Sequence, residues 1–244
     1  MTKRIKFFLS HLSISVLIAL IVIWVVFFIW YPAPVAKAVG VTHLFLMMLV
    51  IDIIIGPILG LLVYKEGKKS LKLDLAIIIV IQLSALCYGV YSIAQGRPVW
   101  VVYSIDRFEL VKNNEIFDQN IQAAQSQYRN PSWLGPRFVA MQLSQSIEQR
   151  NNEMFNEVFS GISLAQHPER YVPLTNVKTL IQQRTQKLEL LKQFNDSQSV
   201  QKILAKYPQA TGYVPLKANA VDMTVLVNKE KGEVVKIVDL RPWK

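Results

Sequence analysis

Three transmembrane α-helices followed by a C-terminal α+β extracytoplasmic domain form the fold class this sequence predicts, on three observations. Residues 7–31 contain no Asp, Glu, Lys or Arg, and two further apolar runs follow before residue 96. The 244-residue chain is 52% hydrophobic and only 18% charged, with eight basic and three acidic side chains in residues 1–96 against nineteen and fourteen in 97–244. After residue 97 no apolar run is long enough to cross a bilayer, and short helical and strand patterns take over. The reading is a membrane domain over 1–96 and an α+β domain over 97–244. That split excludes a wholly soluble enzyme and a polytopic transporter.

The first span, about 7–31, would make a helix of roughly 37 Å, longer than the roughly 30 Å hydrocarbon core, so it crosses with some tilt. A secretory signal peptide is the rival reading, since Lys3, Arg4 and Lys6 precede the run and Ala36-Lys37-Ala38 imitates a cleavage site. The run is too long for a signal peptide's apolar region, and two more spans follow. These occupy about 44–64, interrupted by Asp52, and about 75–95, which has no charged side chain.

Seven basic residues lie in the N-terminal tail and the loop from Lys65 to Lys72, whereas the loop from Pro32 to His43 holds only Lys37. The positive-inside rule places the first two segments in the cytoplasm and everything after Arg97 outside it. Trp24, Trp30 and Tyr31 gather toward the outer end of the first span, and Lys37 and Arg97 read as cationic anchors at that interface.

In the second half, Pro98 to Val111 reads as a strand, Arg137 to Ser160 as an amphipathic helix with Leu143, Ile147, Met154 and Val158 near one face, and Thr175 to Asn195 as another. A shorter helix from Ser197 to Lys206 ends before Pro208. Val221–Val227 and Val234–Leu240 are β-branched runs joined by Asn228-Lys229-Glu230-Lys231-Gly232, a hairpin signature. The only cysteine, Cys87, lies in the third span, so this domain has no disulfide. With no long flexible linker, it should stand close to the bilayer.

Motifs for chemistry are sparse. His11, His43 and His167 lie far apart with no ligand-spaced partner, and there is no phosphate loop, G-x-S-x-G elbow or Ser-x-x-Lys. The expectation is a non-enzyme without metal or cofactor. The net charge of +10 forms no aromatic-interleaved patch, so nucleic acid is not an expected partner, whereas membrane lipid is.

Asp52 is the most informative single residue, because a carboxylate in mid-span costs about 2.5 to 3.5 kcal/mol and requires a partner or a proton. Gln82 and Ser84 lie at comparable depth in the third span and offer a structural hydrogen bond; partner binding and proton translocation are the other readings. Gly56-Pro57, one turn on, predicts a kink or a close helix crossing. His11, about one turn inside the inner boundary, reads most simply as an interfacial histidine, with Ser15 one turn further along.

Lys6-Phe7-Phe8, His11-Leu12, Trp30-Tyr31-Pro32, Ile51-Asp52, Gly56-Pro57, Val63-Tyr64-Lys65, Gly96-Arg97-Pro98, Asp106-Arg107-Phe108 and Asp239-Leu240-Arg241-Pro242-Trp243 occur in that order along the chain. Together they resemble type IV pilin accessory proteins of the TfpX/TfpZ type, nearly end to end. The resemblance implies a bacterial inner-membrane protein with a periplasmic C-terminal domain, acting as an accessory protein or chaperone for the cognate type IV major pilin. It carries over no catalytic residues. Type IV pilins typically place a glutamate a few residues into an apolar helix, so the implied contact is a groove between the first and second spans, with His11 near that glutamate, Ser15 one turn on and Gly56 letting the backbones approach; Asp52, Pro57 and Arg97 are the further candidate partner-binding residues. The alternative is a membrane-anchored sensor with a periplasmic ligand-binding domain, which would need a cytoplasmic output. Oligomeric state is not legible in the sequence.

Overall fold

The computed structural model describes residues 2–144 and 146–243. An unbroken apolar run carries the first helix, α1 (Lys3–Trp24), whose cap is the Thr2 hydroxyl accepting from the Ile5 amide at 3.4 Å. Its continuation, Val25–Trp30, widens to π geometry. A short helix, α2 (Val35–Val39), ends at Gly40 with φ 82°, and α3 (Val41–Val63) and α4 (Leu71–Gln95) follow. Three helices, Lys3–Trp30, Val41–Val63 and Leu71–Gln95, are long and apolar enough to cross a membrane.

The chain divides into two units, one of residues up to Ile29 with Val41–Gly96, the other of Trp30–Gly40 with the chain from Arg97 onward. In the helical unit α3 is central and packs against both α1 and α4. Two glycines allow this. A Cβ on Gly60 would lie 3.0 Å from the Phe7 ring, and one on Gly89 would lie 2.1 Å from Met48 Sδ, so α1 and α4 each press close to α3. Arg4 Nε donates to the Leu61 carbonyl at 2.7 Å, and the Phe7 and Tyr64 rings lie 5.6 Å apart. The basic start of α1 and the lysine-rich loop after α3 therefore share one end of the bundle.

The second unit is built on a seven-stranded sheet in the order β4-β3-β1-β2-β5-β6-β7. Its first strand, β1 (Pro98–Ser104), has every residue buried and is followed by β2 (Arg107–Lys112), α5 (Ser126–Arg129), β3 (Arg137–Met141), α6 (Ile147–Ser160) and β4 (Tyr171–Val172). Next come α7 (Lys178–Arg184), α8 (Ser197–Leu204), β5 (Gly212–Lys217), β6 (Met223–Asn228) and β7 (Glu233–Val238). β1 runs antiparallel to β2 and parallel to β3; β5, β6 and β7 form an antiparallel meander. Alternate residues of β1 enter different cores: Val101 and Tyr103 pack with Phe108, Ile181 and Val225, and Trp100 and Val102 pack with Tyr128, Val139 and Tyr171. Burial on both faces is why β1 reads as a continuous apolar run.

Several expectations are corrected. Pro98–Val111 is a hairpin, not one strand, turning at Ile105 with φ 50°. Arg137–Met141 is a strand, and only Ile147–Ser160 of the expected helix is helical; Ile147 and Val158 on it are exposed, while the side chain of Met154 lies outside the described residues. Thr175–Asn195 breaks into α7 and 3-10 turns, because Gln186 leaves the helix to exchange backbone hydrogen bonds with Tyr213 at 2.8 and 3.0 Å. Residues 30–40, read as part of the membrane domain, belong with the sheet: Val35 and Ala38 lie in its core, and the Ala38 carbonyl accepts from the Ala220 and Val221 amides at 2.9 and 3.1 Å.

Candidate functional site

The polar residues of the helical unit converge on one side chain, Gln82 of α4. Its Nε2 donates to the Asp52 carbonyl at 3.0 Å and to Ser15 Oγ at 3.1 Å, and its Oε1 lies 3.0 Å from His11 Nε2. A carbonyl only accepts, so the nitrogen of the amide must face Asp52 and its oxygen must face the imidazole. His11 Nε2 is then the donor. The other ring nitrogen, Nδ1, is buried, has no hydrogen-bond partner among the described residues, and sits 3.4 Å from where a Cβ on Gly60 would be. His11 is thus held inside the bundle rather than at a headgroup, and its free nitrogen is turned toward α3.

Gly56 makes this junction possible. A Cβ there would fall 1.8 Å from Gln82 Oε1, so the Gln82 amide occupies the space a side chain would need. Pro57 lacks an N–H and deprives the Ile53 carbonyl of its helical donor. The carbonyl that receives the bond from α4 is instead that of Asp52, which has a second lone pair to offer. Gly56 and Pro57 are both buried in α3, which packs against α1 and α4.

A cavity of about 280 Å³ opens between α1 and α4, lined by Phe7, Ile14, Ile18, Ile79, Leu83 and Leu86 together with His11, Ser15, Gln82 and Asp52. Its walls are apolar and its polar groups lie at mid-span. The Asp52 carboxylate makes no hydrogen bond or ion pair among the described residues. Ser84, the other expected partner, is exposed on a different face. Of the six residues singled out in the sequence, the structure brings His11, Ser15, Asp52, Gly56 and Pro57 to one junction. The hub, Gln82, is legible in the sequence only as a partner for Asp52.

Arg97 does not join them. It belongs to the sheet unit, is 3% exposed, and its guanidinium lies 4.2 Å from the centre of the Trp133 ring. Burial holds its pKa below the ordinary arginine value, opposed by the nearby Tyr31, whose own pKa is raised by the same burial. Neither Arg97 nor Lys37 is a free interfacial cation: Lys37 Nζ pairs with Asp239 Oδ2 at 2.6 Å. Among the described residues, no three His, Cys, Asp or Glu side chains stand together as metal ligands.

Fold and site define a class: a membrane-anchored protein whose helical bundle carries a polar junction in mid-span and whose remaining residues build a mixed sheet. The family model for fimbrial assembly protein FimB matches residues 1–40. The chain is 30% identical over 201 residues to the fimbrial assembly protein of serogroup E1 from Dichelobacter nodosus, covering 82% of this chain and 75% of that protein. It is 32% identical over 164 residues to the serogroup I protein of the same organism (66% and 63% of the two chains) and 36% identical over 108 residues to that of serogroups C1 and C2 (43% and 82%). The match thus spans less than two thirds of the serogroup I protein's length. No solved structure matches the chain. The chain belongs to the fimbrial assembly protein FimB family, as its resemblance to type IV pilin accessory proteins anticipates.

Proposed function

We propose that this protein serves type IV fimbrial assembly by binding a pilin subunit in the bacterial inner membrane before polymerisation, as a pilin-specific chaperone with no catalytic step. Its N-terminus and lysine-rich loop are cytoplasmic and its sheet unit periplasmic, in line with seven basic residues on the inner side against Lys37 in the following loop. The relatives named as fimbrial assembly proteins support the role in assembly. The observation that carries the binding step is the cavity between α1 and α4, lined in part by Asp52, whose carboxylate has no hydrogen-bond or ion-pair partner among the described residues. A carboxylate without a donor in hydrocarbon is costly, and a partner helix that brings one relieves that cost. The donor on a pilin helix is a hydroxyl or a protonated carboxyl, since two carboxyl groups in one cavity share a proton rather than both ionise. His11 acts indirectly, fixing Gln82 and through it the spacing of α1, α3 and α4.

Co-purification from detergent-solubilised membranes tests this reading. The wild-type chain should recover its pilin, and Asp52→Leu should recover several-fold less at equal abundance. If pilin fails to accompany the wild-type chain, the binding role is wrong. If reporters fused after residue 69 and at the C-terminus signal from the same compartment, the topology is wrong.

A further inference from the structure

One exposed apolar loop has no place in the junction described above. Trp133 and Leu134 are 63% and 76% exposed, yet the loop that carries them is held firmly. The Leu134 amide donates to Ser132 Oγ at 3.0 Å, and Gly135 turns the chain with φ 64° between Pro131 and Pro136. Two contacts fix its position. The Trp133 ring lies 6.4 Å from the ring of Trp30, the last residue of the first span, and stacks under the guanidinium of Arg97, which follows the end of the third span at Gln95 by two residues. Both neighbours sit where a spanning helix leaves the hydrocarbon, so Trp133 sits at that depth as well. Tryptophan prefers this layer, because its ring is apolar and its N–H can reach water or a headgroup.

We infer that the loop 130–136 is a membrane-interface anchor: Trp133 and Leu134 insert at the boundary between headgroups and acyl chains of the phospholipid bilayer that holds the spans. The occupant of this apolar patch is lipid because the patch continues the aromatic ends of the spanning helices. The anchor gives the sheet unit an attachment to the bilayer besides its three covalent ones, at Ile29–Trp30, Gly40–Val41 and Gly96–Arg97. This inference does not rest on the pilin reading.

The test uses the full chain with Cys87→Ser and a single new cysteine, Leu134→Cys, carrying an environment-sensitive fluorophore, in vesicles of phosphatidylethanolamine and phosphatidylglycerol. Leu134 is exposed, so its replacement leaves the fold intact; Lys231→Cys, on an exposed hairpin turn, is the reference. Brominated acyl chains should roughly halve the emission at 134 and change that at 231 by no more than about a tenth, while iodide should quench 231 and spare 134. Iodide quenching at 134 equal to that at 231 would overturn the anchor. Shielding from iodide without any effect of bromine would overturn it too, and would assign the patch to a protein partner such as a second copy.

Discussion

The amide of Gln82 lies over Gly56 so closely that a Cβ on the glycine would fall 1.8 Å from its oxygen. This contact between α3 and α4 sets the geometry of the junction, because the same amide reaches His11, Ser15 and the Asp52 carbonyl. Gly56→Ala should therefore expel Gln82 and forfeit all three bonds, at roughly 0.6 kcal/mol each for hydrogen bonds between membrane helices, with a steric term added. Gln82→Ala removes the clashing atoms, so Gly56→Ala should be much less damaging in that background. Thermal unfolding in detergent of the two single variants and the double variant measures this; strict additivity would mean that Gln82 does not fill that space.

Asp52 separates stability from function. Its carboxylate has no hydrogen-bond or ion-pair partner among the described residues, so Asp52→Leu should leave unfolding unchanged or raise stability by up to about 2–3 kcal/mol, while pilin recovery is expected to fall. Asp52→Asn keeps a polar group and should retain more of that recovery. A large loss of stability in Asp52→Leu would show that the carboxylate supports the fold.

Residues 30–40 supply part of the core of the sheet unit. A fragment beginning at Arg97 lacks Val35, Ala38 and the carbonyl bonded to Ala220 and Val221, a loss of about 2–3 kcal/mol in apolar burial alone. It should unfold at a lower temperature than a fusion that restores residues 30–40, and a peptide of those residues should raise its midpoint. Equal midpoints would contradict the packing.

Glu153 ties α6 to the chain before β4. Arg170 Nη2 donates to its carboxylate at 2.6 Å and Ser144 Oγ also donates to it, and the Arg170 bond holds the carboxyl below its ordinary value of 4.5. A carboxyl depressed in the folded state stabilises at pH above its unfolded value, and that stabilisation disappears as the pH falls through the lower folded value. Hydrogen exchange in α6 should therefore quicken below about pH 4, and Glu153→Gln should quicken it already at neutral pH. A variant that exchanges like the wild type at both pH values would refute the link.

Much of this architecture is legible in the sequence. The spans announce themselves because charge is excluded from hydrocarbon, and Asp52 stands out for the same reason. The terminal hairpin is legible from its Asn-to-Gly turn. β5 is not, because Pro215 argues against a strand; it is tolerated where β5 has yet to join β2, which it meets only at Leu216 and Lys217. The turn at Ile105 lacks the glycine or asparagine that marks a hairpin. Gln82 could have been found as the side-chain amide at mid-depth in a span without charge, whereas its place over Gly56 depends on how three helices cross. The cover over Arg97 is not legible either, because nothing local announces Trp133, 36 positions later, as its partner.

The proposed binding step sets a pilin helix against the mouth of the cavity between α1 and α4, with one side chain reaching in toward Asp52. Site-specific photocrosslinking in membranes tests it most directly, with probes at Ile14 and Leu83, which line the cavity, and at Ile54, which is exposed and does not. Pilin adducts are expected from 14 and 83, weakened by Asp52→Leu, and none from 54. Adducts from 54 alone, or only from the sheet unit, would contradict it.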